Sequence, residues 1–110
     1  MIFKTKDTGE SQENKDIYSV AIDYPQENEN IIFPKYAVRI SARESGIIEI
    51  SIDKGEWKKC RLSGGYWWFD WSDISVGKHK ITVRFKDTNG RILKFSKERK
   101  CTFEHILPWE

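Results

Sequence analysis

Two histidines and two cysteines are all this chain offers a soft metal, and none of them stands at ligand spacing. Cys60 and Cys101 lie far apart and no CxxC occurs, so zinc-ribbon and thioredoxin-type signatures are excluded. His79 and His105 belong to no HExxH, and no serine or cysteine sits in a GxSxG nucleophile motif. No apolar run approaches the roughly 18 residues of a membrane-spanning helix. Residues 1–16 are polar, with no apolar centre, so they do not read as a signal peptide. The expected location is therefore cytoplasmic, or exported if a leader was removed. An excess of one charge is also missing. Nineteen Lys and Arg against 17 Asp and Glu give a net charge of +2, too little to argue for nucleic acid. No window carries a helical period.

What the chain has instead is a cluster of rings. Five of its 15 aromatic residues fall within Tyr66-Trp67-Trp68-Phe69-Asp70-Trp71. Read as a strand, alternation puts Trp67, Phe69 and Trp71 on one face and Tyr66, Trp68 and Asp70 on the other. The first face, with Trp57, is expected in the core. The second, beside an outward row of Lys80, Arg84 and Lys86, is the candidate binding face: Tyr66, Trp68, Arg84 and Lys86. Three readings of it stand open. Tyr66 and Trp68 lie under a loop or the N-terminal tail with Lys and Arg stems over their rings, or form a protein–protein interface, or make a stacking platform for a glycan.

The rest of the chain reads as short strands and turns. Tyr36 to Ala42 alternates with Tyr36, Val38, Ile40 and Ala42 inward and Arg39 and Ser41 outward. Ile48, Ile50 and Ile52 make another inward face. Asp53-Lys54-Gly55-Glu56 and Asp87-Thr88-Asn89-Gly90 are hairpin signals. His79 to Asp87 alternates with Ile81, Val83 and Phe85 inward. Trp57 to Leu62 reads as one shorter strand, and residues 91–103 as a last strand with a bulge near Ser96-Lys97. Its bases Arg91, Lys94, Lys97, Arg99 and Lys100 read first as a solvated face. Seven or eight strands at this spacing predict an all-β chain, an immunoglobulin-like antiparallel β-sandwich. Its expected parts are a flexible tail over 1–16, the sandwich over 17–104 and a C-terminal tail over 105–110, with Leu107 and Trp109 as tail contacts. Gln26 to Asn30 is expected as a polar loop. Cys60 and Cys101 either pair in an oxidising compartment, closing a loop of about 40 residues, or remain two buried thiols.

Residues 47–90 carry a further pattern. Ile48 to Asp53, Gly55, Trp57, Trp68, Trp71, Gly77-Lys78-His79, Arg84, Asp87 and Gly90 resemble the immunoglobulin-like dimerisation domain of sulfite-oxidase-type molybdenum-cofactor oxidoreductases. Lys54 stands where that family commonly has Gly. The resemblance implies a seven-stranded accessory or association module. It carries over neither oxidoreductase activity nor cofactor. The expectation is thus a non-catalytic interaction module whose partner is another protein or a second copy, without metal or cofactor. The alternative is a carbohydrate-binding module using the aromatics of the 66–71 strand.

Overall fold

Alternation of Ile, Val and aromatic residues with polar ones drives the chain into paired strands, because each strand has one face to hide. The structure, a computed structural model, describes residues 19–43 and 45–105. The N-terminal tail expected over 1–16 and the tail contacts Leu107 and Trp109 lie outside those residues. Ten strand segments follow in order: β1 (Val20–Tyr24), β2 (Glu29–Ile31), β3 (Tyr36–Ala42), β4 (Ile47–Ile52), β5 (Lys58–Lys59), β6 (Arg61–Ser63), β7 (Tyr66–Trp71), β8 (Gly77–Lys86), β9 (Ile92–Phe95) and β10 (Arg99–Phe103). Among the described residues no helix is long and apolar enough to cross a membrane.

The segments form two sheets, ordered β1-β3-β7-β6 and β2-β10-β8-β4-β5, with β9 also on β8. Their inner faces share one core. Val20, Ile22, Val38, Ile40 and Trp71 come from the first sheet, and Ile48, Ile50, Ile81, Val83, Phe85 and Phe103 from the second. Burying each of these side chains contributes roughly 1.5–3 kcal/mol before chain entropy is subtracted. The fold is the expected all-β immunoglobulin-like sandwich. The surplus of segments has two sources. β5 and β6 are one run that changes sheet at Cys60, and β9 and β10 are one run interrupted at residues 96–98.

Two expectations are corrected here, and one open alternative is decided. Residues 29–31 are not all loop: they form β2, which pairs parallel with β10, so this sheet is mixed. Trp57 to Leu62 is not one strand in one sheet. Cys60 donates its N–H to Ile48 O and the chain then crosses to β7. Finally, Cys60 and Cys101 do not pair. Both thiols are free. Cys101 sits on β10, and β8 and β4 intervene before Cys60. At about 4.8 Å per strand spacing that separation is roughly 14 Å, twice the Cα distance of about 7 Å that a bridge tolerates. Burial, then the charge of Glu49, pushes the Cys60 thiol up to about 12. Burial, then the charge of Asp53, pushes Cys101 up to about 11.

Tyr36 ties the sheets together: its hydroxyl donates to Glu29 Oε2 on β2 at 2.9 Å. Burial and that carboxylate raise the phenol well above its usual range.

Candidate functional site: two outer sheet faces

On β7 the side chains alternate as the sequence predicts. Trp71 is buried, Trp67 and Phe69 pack partly buried against the core, and Tyr66 and Asp70 are exposed. Trp68 is half-buried on the outer face, where its Nε1–H donates to Ser63 O at 3.0 Å. Trp67 borders a separate hollow with Ala42 and Leu62, whereas Phe69 is not fully covered because the sandwich is open along its side. A cleft of about 320 Å³ runs between the sheets there, lined in part by Ile50, Ile52, Phe69 and Trp71.

The outer face of the first sheet centres on Arg39. Register places Arg39 opposite Trp68. Its guanidinium carbon lies 4.1 Å from the Tyr66 ring centroid and 4.9 Å from that of Tyr24. Its Nε donates to Asp23 Oδ2 at 3.2 Å, an oxygen that also accepts from the Ser41 hydroxyl at 2.5 Å. A bulge between Ile22 and Tyr24 builds this arrangement. The extra residue lets consecutive side chains, Asp23 and Tyr24, both reach the same arginine. Tyr66 and Trp68 meet edge to face, with centroids 6.3 Å apart. Beyond them Arg61 grips Asp70 with two hydrogen bonds of 3.1 Å. That grip holds the Asp70 carboxyl below its usual range. Both side chains are wet, so the pair adds little to stability.

Arg84 and Lys86 do not belong to this face. They stand on β8, in the other sheet, with the core between them and Tyr66. Alternation placed them outward correctly, but it cannot say which sheet an outward residue serves. The cation that meets the rings is Arg39, which the same alternation had turned outward on β3.

The second sheet has its own outer face, and Trp57 is part of it. Expected in the core, Trp57 is absent from the core cluster. Its ring lies under the guanidinium of Arg84, 4.2 Å from centroid to carbon, and 6.1 Å from the Phe95 ring. Arg84 in turn donates to Glu49 Oε1 at 2.7 Å, and Lys86 Nζ lies 3.4 Å from Oε2. Glu49 is only 8% exposed. Burial alone would raise its pKa, but the two cations outweigh that and hold it below the carboxylate range. A pocket of about 260 Å³ opens beside Trp57, reaching Phe95, Ser51, Thr82 and the side chains of Lys54, Lys80 and Glu98.

His79, third residue of β8, faces the core against Trp71, ring centroids 5.1 Å apart. The bases of the last strand are dispersed: Arg99 donates to Pro25 O at 2.8 Å and pairs with Glu27, while β10 lies inside the sheet, between β2 and β8. Among the described residues, no three of His, Cys, Asp and Glu converge as a metal would require.

Two antiparallel-dominated sheets packed face to face, with one run crossing between them, define an immunoglobulin-like β-sandwich. Solved structures agree. The fibronectin(III)-like modules of Clostridium thermocellum CbhA match 81% of this chain over 100% of their own length, at TM-score 0.66 and 17% identity. An engineered protein matches 79% of the chain at TM-score 0.62 and 15% identity, over 20% of its own length. No protein-family model matches the chain, and no curated protein matches it in sequence. At these identities the likeness is one of fold.

Proposed function

We propose that the chain is a non-catalytic accessory module that associates with a second copy of itself through the outer face of the β1-β3-β7-β6 sheet. The observation that carries this reading is Arg39 held between the Tyr24 and Tyr66 rings on the outer face of the sheet. Tyr, Trp and Arg are the residues that dominate binding energy at protein interfaces. Here all three are fixed in place, so little side-chain entropy remains to be lost on docking. The ionic pairs on the face, Asp23 with Arg39 and Arg61 with Asp70, balance each other. A copy rotated by a two-fold axis therefore meets equal numbers of both charges. The pattern over 47–90 that resembles a dimerisation domain supports the same role. A glycan platform on this strand has less support: Tyr66 carries Arg39 on its face and the edge of Trp68 beside it.

Light scattering on eluting protein, read across concentration, tests this. A mass of two protomers at high micromolar concentration is expected, with Tyr66→Ala and Trp68→Ala returning it to one protomer at unchanged far-ultraviolet circular dichroism. A single-protomer mass up to millimolar concentration overturns it.

A further inference from the structure

The outer face of the second sheet holds a pocket that the proposed association does not use. Its walls are two rings, Trp57 and Phe95, inclined at 54°. Trp57 is pinned from one side by Arg84, itself fixed by Glu49, so that wall is rigid. Phe95 is 52% exposed. Ser51 and Thr82 also line the pocket. The Ser51 hydroxyl donates to Gly55 O at 2.8 Å, which leaves its oxygen free to accept. Around the mouth stand Lys54, Lys80 and Glu98, whose side chains enter no ion pair among the described residues.

Lys54 carries a second signal. Its φ is +60°, in the left-handed region. A residue with a Cβ pays on the order of 1 kcal/mol there, at an angle that this hairpin turn imposes on both Asp53 and Lys54. Glycine would fit the turn better, yet glycine brings no ammonium to the pocket.

We infer that this pocket binds one acidic sugar residue, a uronic acid. The volume of about 260 Å³ lies just under the usual small-molecule range of about 300–1,000 Å³, a size that suits a single ring. The C–H face of a pyranose lies against Trp57. Its hydroxyls donate to Glu98 and to the Ser51 and Thr82 oxygens. Its carboxylate meets the pocket's two ammonium groups, those of Lys54 and Lys80. A plain apolar ligand would leave these polar groups unpaired, and a lone small anion would leave the rings uncovered.

Amide chemical shifts of the 110-residue chain, titrated with three probes, decide the matter. Methyl glucuronide should give saturable shifts confined to Ser51, Lys54, Gly55, Thr82 and Phe95. Methyl glucoside, which lacks the charge, should bind about tenfold more weakly. Acetate, which lacks the ring, should give no saturable shifts. Phe95→Ala, a change at an exposed ring, should abolish binding of both sugars. Lys54→Gly should reduce the preference for glucuronide over glucoside several-fold while leaving the glucoside titration unchanged. Equal binding of the two sugars, shifts centred on another face, or no saturable shift with glucuronide each overturns the inference.

Discussion

Nδ1 of His79 lies 2.6 Å from Oδ2 of Asp53, and Nε2 of the same ring lies 2.6 Å from the carbonyl oxygen of Ser75. Both partners are acceptors, so only an imidazolium, with a proton on each nitrogen, satisfies both. Asp53 Oδ1 accepts the Lys80 N–H at 2.9 Å, which clamps the β4–β5 hairpin onto β8. Burial works against the charged ring, but Asp53 and Ser75 outweigh it and raise the His79 pKa. A raised folded-state pKa stabilises fully below the unfolded value of about 6.5 and ceases to as pH rises through the folded value. The melting temperature should therefore fall as pH rises from about 6.5 through the raised folded value. His79→Gln should flatten that slope, and the imidazole proton shifts should titrate above the free-histidine range.

Trp71 and Trp68 are three residues apart on one strand and should behave differently. Trp71 is 8% exposed and closes the core against His79. Trp71→Ala should cost about 3–5 kcal/mol in denaturant unfolding. Trp68 lies half-buried on the outer face with one indole hydrogen bond. Trp68→Ala should cost about 1 kcal/mol and act mainly on self-association.

This contrast was legible in the sequence because alternation is a local property: Trp67, Phe69 and Trp71 share a side in any strand. Pairing is not local. Nothing near Arg84 says that β8 joins β4 and β10 rather than β7, so alternation alone groups Arg84 and Lys86 with the wrong rings and does not single out Arg39. Trp57 misled for a related reason. Its ring suggests core, but it stands in the short connection between the hairpin and β5, where Arg84 covers it from outside. The turns divide likewise. Asp87 organises the 87–91 loop by accepting the N–H groups of Asn89 and Arg91, and Gly90 takes φ +90°. At the other hairpin Asp53 and Lys54, not Gly55, take the left-handed angles. That turn is set by the long-range clamp on His79, which the local sequence does not contain.

Glu49 governs the acid side as His79 governs the alkaline one. Its carboxylate neutralises Arg84 and Lys86 at 2.7 and 3.4 Å. Its lowered pKa means the contribution is present above the unfolded value of about 4.3 and is lost as pH falls through the folded value. Glu49→Ala strands two part-buried cations and frees Arg84 from Trp57. A loss of about 3 kcal/mol is expected at pH 7, the low end for breaking a buried pair because Arg84 retains some water. The variant should also lose less stability than the parent between pH 6 and 3, measured by urea midpoints.

Gly46 offers the sharpest test of the sandwich itself. A glycine just before a strand ordinarily serves by its backbone freedom. The structure gives a different reason. A Cβ on Gly46 would lie 2.5 Å from Lys86 O and 2.5 Å from Phe85 Cε1. Neither atom can retreat cheaply. Lys86 pairs with Ile47 in the β4–β8 ladder, and Phe85 is 1% exposed in the core. Gly46→Ala should therefore lower stability by about 2–3 kcal/mol, as overpacking does. Gly64 makes the control. Its φ is +61°, but nothing lies within 4 Å of a Cβ there. Gly64→Ala should cost only the left-handed penalty of about 1 kcal/mol. If unfolding midpoints rank the two variants the other way, the close approach of β4 and β8 at this end of the sandwich is not as described.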